Sequence, residues 1–93
     1  MTLGTLVLQL HIPGCRSLKE KRGILKKLTN LIRKEFNVSV AEVDKNDMHQ
    51  SAEIGIAVVS NDRSFANAVL SKVVELVERQ PDIYLQDYTL EFR

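Results

Sequence analysis

The hydrophobic pattern of this chain switches between the period of a strand and the period of a helix, and the order of the switches limits the folds it can adopt. Four segments carry β-branched or alternating apolar residues, and two carry apolar residues at helical spacing. The predicted strands are residues 2–12, 38–43, 54–59 and 83–92, and the predicted helices are residues 18–36 and 63–79. The predicted order of elements is therefore βαββαβ.

Local signals set the limits of the first predicted helix. Ser17 followed by Glu20 is a capping box, which satisfies free backbone amides at a helix start. Asn37 can adopt the left-handed conformation that ends a helix. Gly23 lies inside the helix, where glycine costs about 1 kcal/mol relative to alanine unless something packs closely against it.

Two βαβ halves of this length favour a ferredoxin-like α+β sandwich. In this fold a four-stranded antiparallel sheet with spatial order 4-1-3-2 carries both helices on one face. Ninety-three residues suffice for one such domain, spanning residues 1–93, with a core that needs neither disulfide nor metal. The other face of the sheet, called the open face below, is left for water, a ligand or a partner chain.

The charge of the chain is concentrated in the first helix. Residues 16–35 hold eight basic and two acidic residues, although the formal net charge of the whole chain is only +1. On a helical wheel four of these cations fall within about 60° of one another. They form what we call the basic ridge: Lys19, Arg22, Lys26 and Arg33.

The basic ridge has two interpretations. It can be a contact surface for the phosphate backbone of structured RNA, because cations in register attract a polyanion without base-specific geometry. It can equally be a solvated helix face whose lysines and arginines were selected for helix propensity. Two features favour the first interpretation. Few acidic residues lie at neighbouring helical positions. Cations also occupy the first turn, where the helix dipole repels them.

The open face is predicted to be small and apolar at its centre, with Val7, Gly55, Ala57 and Val59. Such a surface suits self-association, so we expect a homodimer that uses these four residues. The two central strands offer no aromatic residue to this face, which argues against base stacking on the sheet. Tyr84 and Tyr88 of the last strand either join this face or pack at the core and edge.

Other reactive side chains carry weaker signals. His11, Asp44, Asp47 and His49 are predicted to approach one another at one sheet edge, where they could ligate a transition metal. Turn chemistry alone explains the aspartates, and His11 is expected to bond to the adjoining loop, so no metal or cofactor is predicted. Cys15 lacks a positioned base and is expected to be structural.

Three segments resemble the YlxP-like family of small bacterial proteins: HIPGCRSLKEKR at 11–22, FNVSVAEVD at 36–44 and AVVSND at 57–62. The resemblance implies a ferredoxin-like fold in a bacterial cytosol and supplies no catalytic residues, because the family has no known function. Genes of the family often lie beside those of translation factors, which implies a translation-linked role by association only. Within the third segment, Ser60, Asn61 and Asp62 are explained by capping of the second helix.

We therefore expect a non-enzymatic binding module that docks on structured, plausibly ribosomal, RNA through the basic ridge. The alternative is a protein-interaction or small-ligand regulatory domain that uses the open face, and a third possibility is an enzyme at His11 and the neighbouring hairpin. A lone cysteine, short apolar runs and the lack of a leader pattern before the first strand predict a cytoplasmic protein without a membrane span.

Overall fold

The computed structural model describes residues 1–45 and 47–93, and its elements follow the predicted order. Asn46, in the predicted hairpin turn, lies outside the described residues. The strands are β1 (Thr2–His11), β2 (Ser39–Asp44), β3 (Ser51–Ser60) and β4 (Tyr84–Phe92), and the helices are α1 (Leu18–Glu35) and α2 (Arg63–Glu78).

The four strands form one antiparallel sheet in the order β2-β3-β1-β4. β1 is central and pairs with β3 along its whole length, from Thr2 opposite Ser60 to His11 opposite Ser51. β4 flanks the other side of β1. This is the predicted spatial order, and the ferredoxin-like fold is confirmed.

The core lies between the sheet and the two helices. Alternate residues of β1 and β3 are buried, as strands with one covered face require. Each helix contributes one apolar stripe to this layer. The core residues at the centre are Leu6, Leu8, Leu10, Ile54 and Ile56 of the sheet, Leu25, Leu28 and Ile32 of α1, and Leu70, Val73 and Val77 of α2. Within the described chain, neither helix is long and apolar enough to cross a membrane.

The predicted left-handed conformation of Asn37 is wrong, although the predicted helix end at about Phe36 agrees to within one residue. The helix ends at Glu35, and Phe36 caps it in an extended conformation with φ −135° and ψ 143°. Among the described residues the only non-glycine residue with positive φ is Lys45, at 62°, in the hairpin between β2 and β3. A partly buried Phe36 that packs against the core ends the helix in place of a left-handed residue.

A β-bulge in the pairing of β1 with β4 separates the two tyrosines. Tyr84 lies opposite His11, whereas Tyr88 lies opposite Leu8. Because directly opposed residues share a face, Tyr84 belongs to the open face and Tyr88 to the helix-covered face. Without the bulge Tyr84 and Tyr88 would share a face, because residues four apart in a regular strand lie on the same side of the sheet.

Lys21, one of the eight cations of the basic stretch, is inside the protein. Its side chain is 1% exposed and its Nζ lies 2.9 Å from Oε2 of Glu42 on β2. The same Nζ donates to the carbonyl oxygens of Lys45 at 2.7 Å and Ser51 at 3.0 Å. These three oxygens belong to both strands and to the loop of the β2–β3 hairpin, so one ammonium group ties α1 to that hairpin.

We predict that Lys21→Met destabilises the fold by about 3 kcal/mol, because it removes a buried ammonium group that pairs with the 19% exposed Glu42 and donates to the carbonyl oxygens of Lys45 and Ser51, of which that of Lys45 keeps the amide of Met48 as a donor. Urea unfolding followed by circular dichroism measures the change. The matched control is Lys19→Met, an exposed position on the same helix, where we expect a change within about 0.5 kcal/mol. Equal stabilities of the two variants would contradict a structural role for Lys21.

Candidate functional site

The basic ridge lies on the solvent side of α1. Lys19, Arg22, Lys26 and Arg33 are all exposed, because the buried side of the helix is held on the sheet by its apolar stripe and by Lys21. Lys27 and Lys34 are exposed beside the ridge. Six of the ten exposed residues of this helix are therefore cationic.

No carboxylate neutralises the ridge within the described residues. The ion pairs found there join Lys21 to Glu42 and Arg93 to Glu91. Arg33 has other partners, since its Nη2 donates to the carbonyl oxygen of Val40 at 2.8 Å. Three ridge cations are thus unconstrained by internal bonds, and Arg33 is fixed against β2.

The charge count of residues 16–35 does not predict the burial of Lys21, because a count treats every cation as a surface residue. The helical wheel does indicate that burial, because one face of the helix holds four residues spaced by four, three and four positions: Lys21, Leu25, Leu28 and Ile32. Those three apolar residues are all buried, so Lys21 occupies a core position. The buried lysine lowers the number of cations available to a partner from eight to seven.

A groove lies between α1 and the segment that joins α2 to β4. It has a volume of about 540 Å³, and a smaller hollow of about 330 Å³ adjoins it. Lys19, Gly23 and Lys27 form the α1 wall at one-turn spacing, and residues 80–82 form the opposite wall. The apolar residues that line it are Ile24, Leu28 and Ile83.

Gly23 on this wall has no packing reason within the domain. A Cβ built on it would meet no heavy atom within 4 Å. The described residues therefore provide no close contact that requires a glycine at this position of the helix.

The residues predicted for a dimer interface do share the open face. Val7, Gly55 and Ala57 are partly buried, and Val59 is 62% exposed. Val43 also lies there, 53% exposed, beside a bulge in the β2–β3 pairing. A Cβ on Gly55 would lie 2.9 Å from Cγ1 of Val43, so Gly55 is covered by a neighbour and is not the bare centre of the surface.

The opposite end of the open face is polar. The amide of Gln9 donates to Glu53 Oε1, and Lys45 Nζ donates to Gln9 Oε1 at 3.1 Å. His11 Nδ1 lies 3.0 Å from the carbonyl oxygen of Gln50, which is the bond to the adjoining loop that the sequence predicted.

The four residues considered for a metal do not come together. Across residues 1–45 and 47–93, no group of three or more His, Cys, Asp or Glu side chains is arranged to hold a metal ion. Asp44 Oδ1 instead accepts from the amide of Lys45 at 2.8 Å, and Asp47 and His49 are exposed in the hairpin.

Cys15 and the second helix cap have structural environments. Cys15 is 1% exposed, and its Sγ–H donates to the carbonyl oxygen of Ser17 at 3.3 Å. Asp62 is the N-cap of α2, since its Oδ1 accepts from the amide of Ser64 at 2.9 Å, and Ser60 Oγ accepts from the amide of Asp62 at 3.0 Å. The predicted N-cap of α2 is confirmed at Asp62.

The predicted capping box at the start of α1 is half formed. Ser17 Oγ accepts from the amide of Glu20 at 3.1 Å. The carboxylate of Glu20 accepts from the amide of Arg16, at 3.4 Å, in place of the amide of Ser17.

Topology and surfaces together define a small ferredoxin-like domain with a cationic helix on one side and an uncovered sheet on the other. A family model described as "Protein of unknown function (DUF503)" matches residues 3–90. The uncharacterized protein YlxP of Bacillus subtilis (strain 168) is 37% identical over 67 residues, which cover 72% of this chain and 73% of that protein. The chain therefore belongs to the YlxP-like DUF503 family, and the predicted family is confirmed.

Solved structures support the fold alone. The de novo designed protein Foldit4 superposes with a TM-score of 0.53 at 10% identity, over 100% of this chain and 94% of that one. A de novo designed protein with ferredoxin fold, LFR1 1, gives 0.51 at 16% identity, over 100% and 85% of the two chains.

We predict that Asp62→Ala lowers the free energy of unfolding by about 1 kcal/mol, because the Ser64 amide loses its acceptor at the start of α2. Thermal and urea denaturation measure the loss. Asn61→Ala is the control within the same family segment and is expected to change stability by less than about 0.5 kcal/mol. If Asn61→Ala is the more damaging change, the segment has a role other than capping.

Proposed function

We propose that this protein is a non-enzymatic binding module that docks on structured RNA through the basic ridge. One observation carries the proposal: Lys19, Arg22 and Lys26 lie exposed on one helix face, and no carboxylate among the described residues pairs with them. A polyanion supplies the counter-charge that this domain lacks. Binding to RNA also implies a cytoplasmic protein.

The geometry of the ridge suits a folded RNA backbone. From Lys19 to Arg33 the ridge runs for about 21 Å along the axis, at about 1.5 Å per residue. Side chains on a helix cannot read bases in the deep, narrow major groove of an RNA duplex, so contacts go to phosphates and to the 2′-hydroxyls of the shallow groove. Recognition would follow the shape of the RNA more than its sequence.

A purely solvated face explains the ridge less well. Surface helices commonly interleave cations with acids at i, i+4, and here the acids of α1 are Glu20 and Glu35 alone. Lys19 lies in the first turn of α1, where the helix dipole disfavours a cation by about 0.3–1 kcal/mol. Because Lys19 lowers the stability of the helix, its presence supports a role in binding.

We predict that wild-type protein binds a structured ribosomal RNA fragment with a log–log salt slope of about −3, as expected for three to four phosphate contacts. Arg22→Glu/Lys26→Glu should lose most of the affinity and flatten the slope, because two attractive contacts become repulsive. Fluorescence anisotropy over a salt series measures both quantities.

The matched control is Lys72→Glu/Arg79→Glu, which makes the same change in net charge at an exposed residue of α2 and at its exposed C-cap. Circular dichroism must show both variants folded. Equal losses in the two variants would mean that net charge alone drives binding, and no binding by wild type at low salt would refute the proposal.

The open face favours a second candidate function, self-association. Val59 and Val43 are more than half exposed on it, and the partly buried Val7 and Ala57 lie beside them. Apolar residues grouped on a flat sheet favour burial against a matching surface, and a two-fold dimer provides one. This candidate is compatible with RNA binding, because the helices occupy the other face.

We predict that wild type is a homodimer in solution and that Ala57→Glu raises its dissociation constant by about 100-fold, because a carboxylate would be buried without a partner. Light scattering coupled to size exclusion measures the mass over a dilution series. Asn67→Glu on the exposed side of α2 is the control and should leave the dimer intact. A monomeric wild type would exclude this candidate.

A further inference from the structure

We infer that the groove between α1 and residues 80–83 receives one unpaired nucleotide of the RNA, with its phosphates on Lys19 and Lys27 and its base on the apolar floor. This inference rests on the proposed function and adds to it a single-stranded element of the RNA target. It depends on four features of the groove: its size, its floor, its two walls and Gly23.

The groove has the size and lining of a site for a small organic group. Its volume of about 540 Å³ lies within the range of about 300–1,000 Å³ that is typical of ligand sites. Ile24, Leu28 and Ile83 line it with apolar surface, against which the face of a base can pack. Enzymes that extrude bases hold them between apolar or aromatic side chains in a similar way.

The two walls differ in charge. The α1 wall carries Lys19, Lys27 and Glu20 and is net positive, whereas the opposite wall carries Asp82, and neither lysine has an ion pair among the described residues. Asp82 belongs to the opposite wall and is exposed. A ligand that complements both walls has an anionic end and a hydrogen-bond-donating end, joined by an apolar body.

A nucleotide has this arrangement. Its phosphates are anionic, and guanine, adenine and cytosine present N–H groups that a carboxylate accepts. Lys19 belongs to both the basic ridge and the groove wall, so an RNA backbone that follows the ridge reaches the groove without a break. Unstacked bases of loops and bulges are the parts of RNA that proteins most often receive in this way.

Gly23 makes room for this ligand. It lies one turn from each wall lysine, and apart from its chain neighbours and the backbone of its own helix, no described atom lies within 4 Å of the position that a Cβ would take. Alanine would favour the helix by about 1 kcal/mol, so internal stability does not account for glycine here. An external group that approaches the helix backbone between the two lysines does account for it.

The test compares two labelled RNA hairpins with the same stem, one with a loop that contains every base type and one with an abasic loop of the same length. Both carry the same phosphates, so the difference between them reports the base alone. We expect wild-type protein to bind the intact loop about five- to ten-fold more tightly than the abasic loop, within the range that one stacked base contributes.

Gly23→Leu should abolish this preference and keep the salt slope, because leucine fills the groove and leaves the ridge unchanged. Ala68→Leu is the matched control, an exposed position on α2 outside the groove and away from the ridge, and should keep both. Asp82→Ala should reduce the preference without filling the groove. Circular dichroism verifies the fold of each variant.

The outcomes separate this inference from the function it rests on. If wild type binds both hairpins equally and with a normal salt slope, the ridge binds RNA and the groove does not receive a base. The two hairpins would also bind equally tightly if the groove accommodates an apolar side chain of an acidic protein partner in place of a base. If wild type binds neither hairpin at low salt, the proposed function and this inference both fail.

Discussion

One buried ammonium group determines how the rest of this surface is presented. Lys21 Nζ contacts Glu42 and the carbonyl oxygens of Lys45 and Ser51, so it anchors α1 to the β2–β3 hairpin and, together with the apolar stripe, sets the rotation of the helix about its axis. That rotation places the other cations of the helix in solvent. A buried charge is tolerated only with such partners, which makes the hairpin part of the environment that orients the basic ridge.

The two faces of the domain have separate chemistries. The helix side carries the basic ridge and the groove beside Gly23, and the other side carries an apolar half around Val59 and a polar end around Gln9. Polyanion binding and self-association can therefore occur together, since neither uses the residues of the other. A dimer formed through the sheet would present two ridges on opposite outer sides, which increases the effective concentration for an extended RNA.

Much of the candidate site was predictable because its determinants are local. The exposure of Lys19, Arg22 and Lys26 follows from helical periodicity, and the inward and outward residues of β1 follow from strand alternation. The bulges were not predictable in this way. One separates Tyr84 from Tyr88 and the other lies at Val43, and each depends on how two strands pair across the sheet.

The sequence by itself determined the order βαββαβ, the apolar stripes, the cap at Ser17 and a cap at Asn61 or Asp62, because these depend on side chains within about one turn of one another. Only the tertiary structure decided which lysine is buried and where the groove lies. Lys21 meets its oxygen acceptors 24 and 30 residues away along the chain, and the groove joins α1 to residues 80–83. Such contacts exist only once the sheet has brought distant segments together, which local periodicity does not encode.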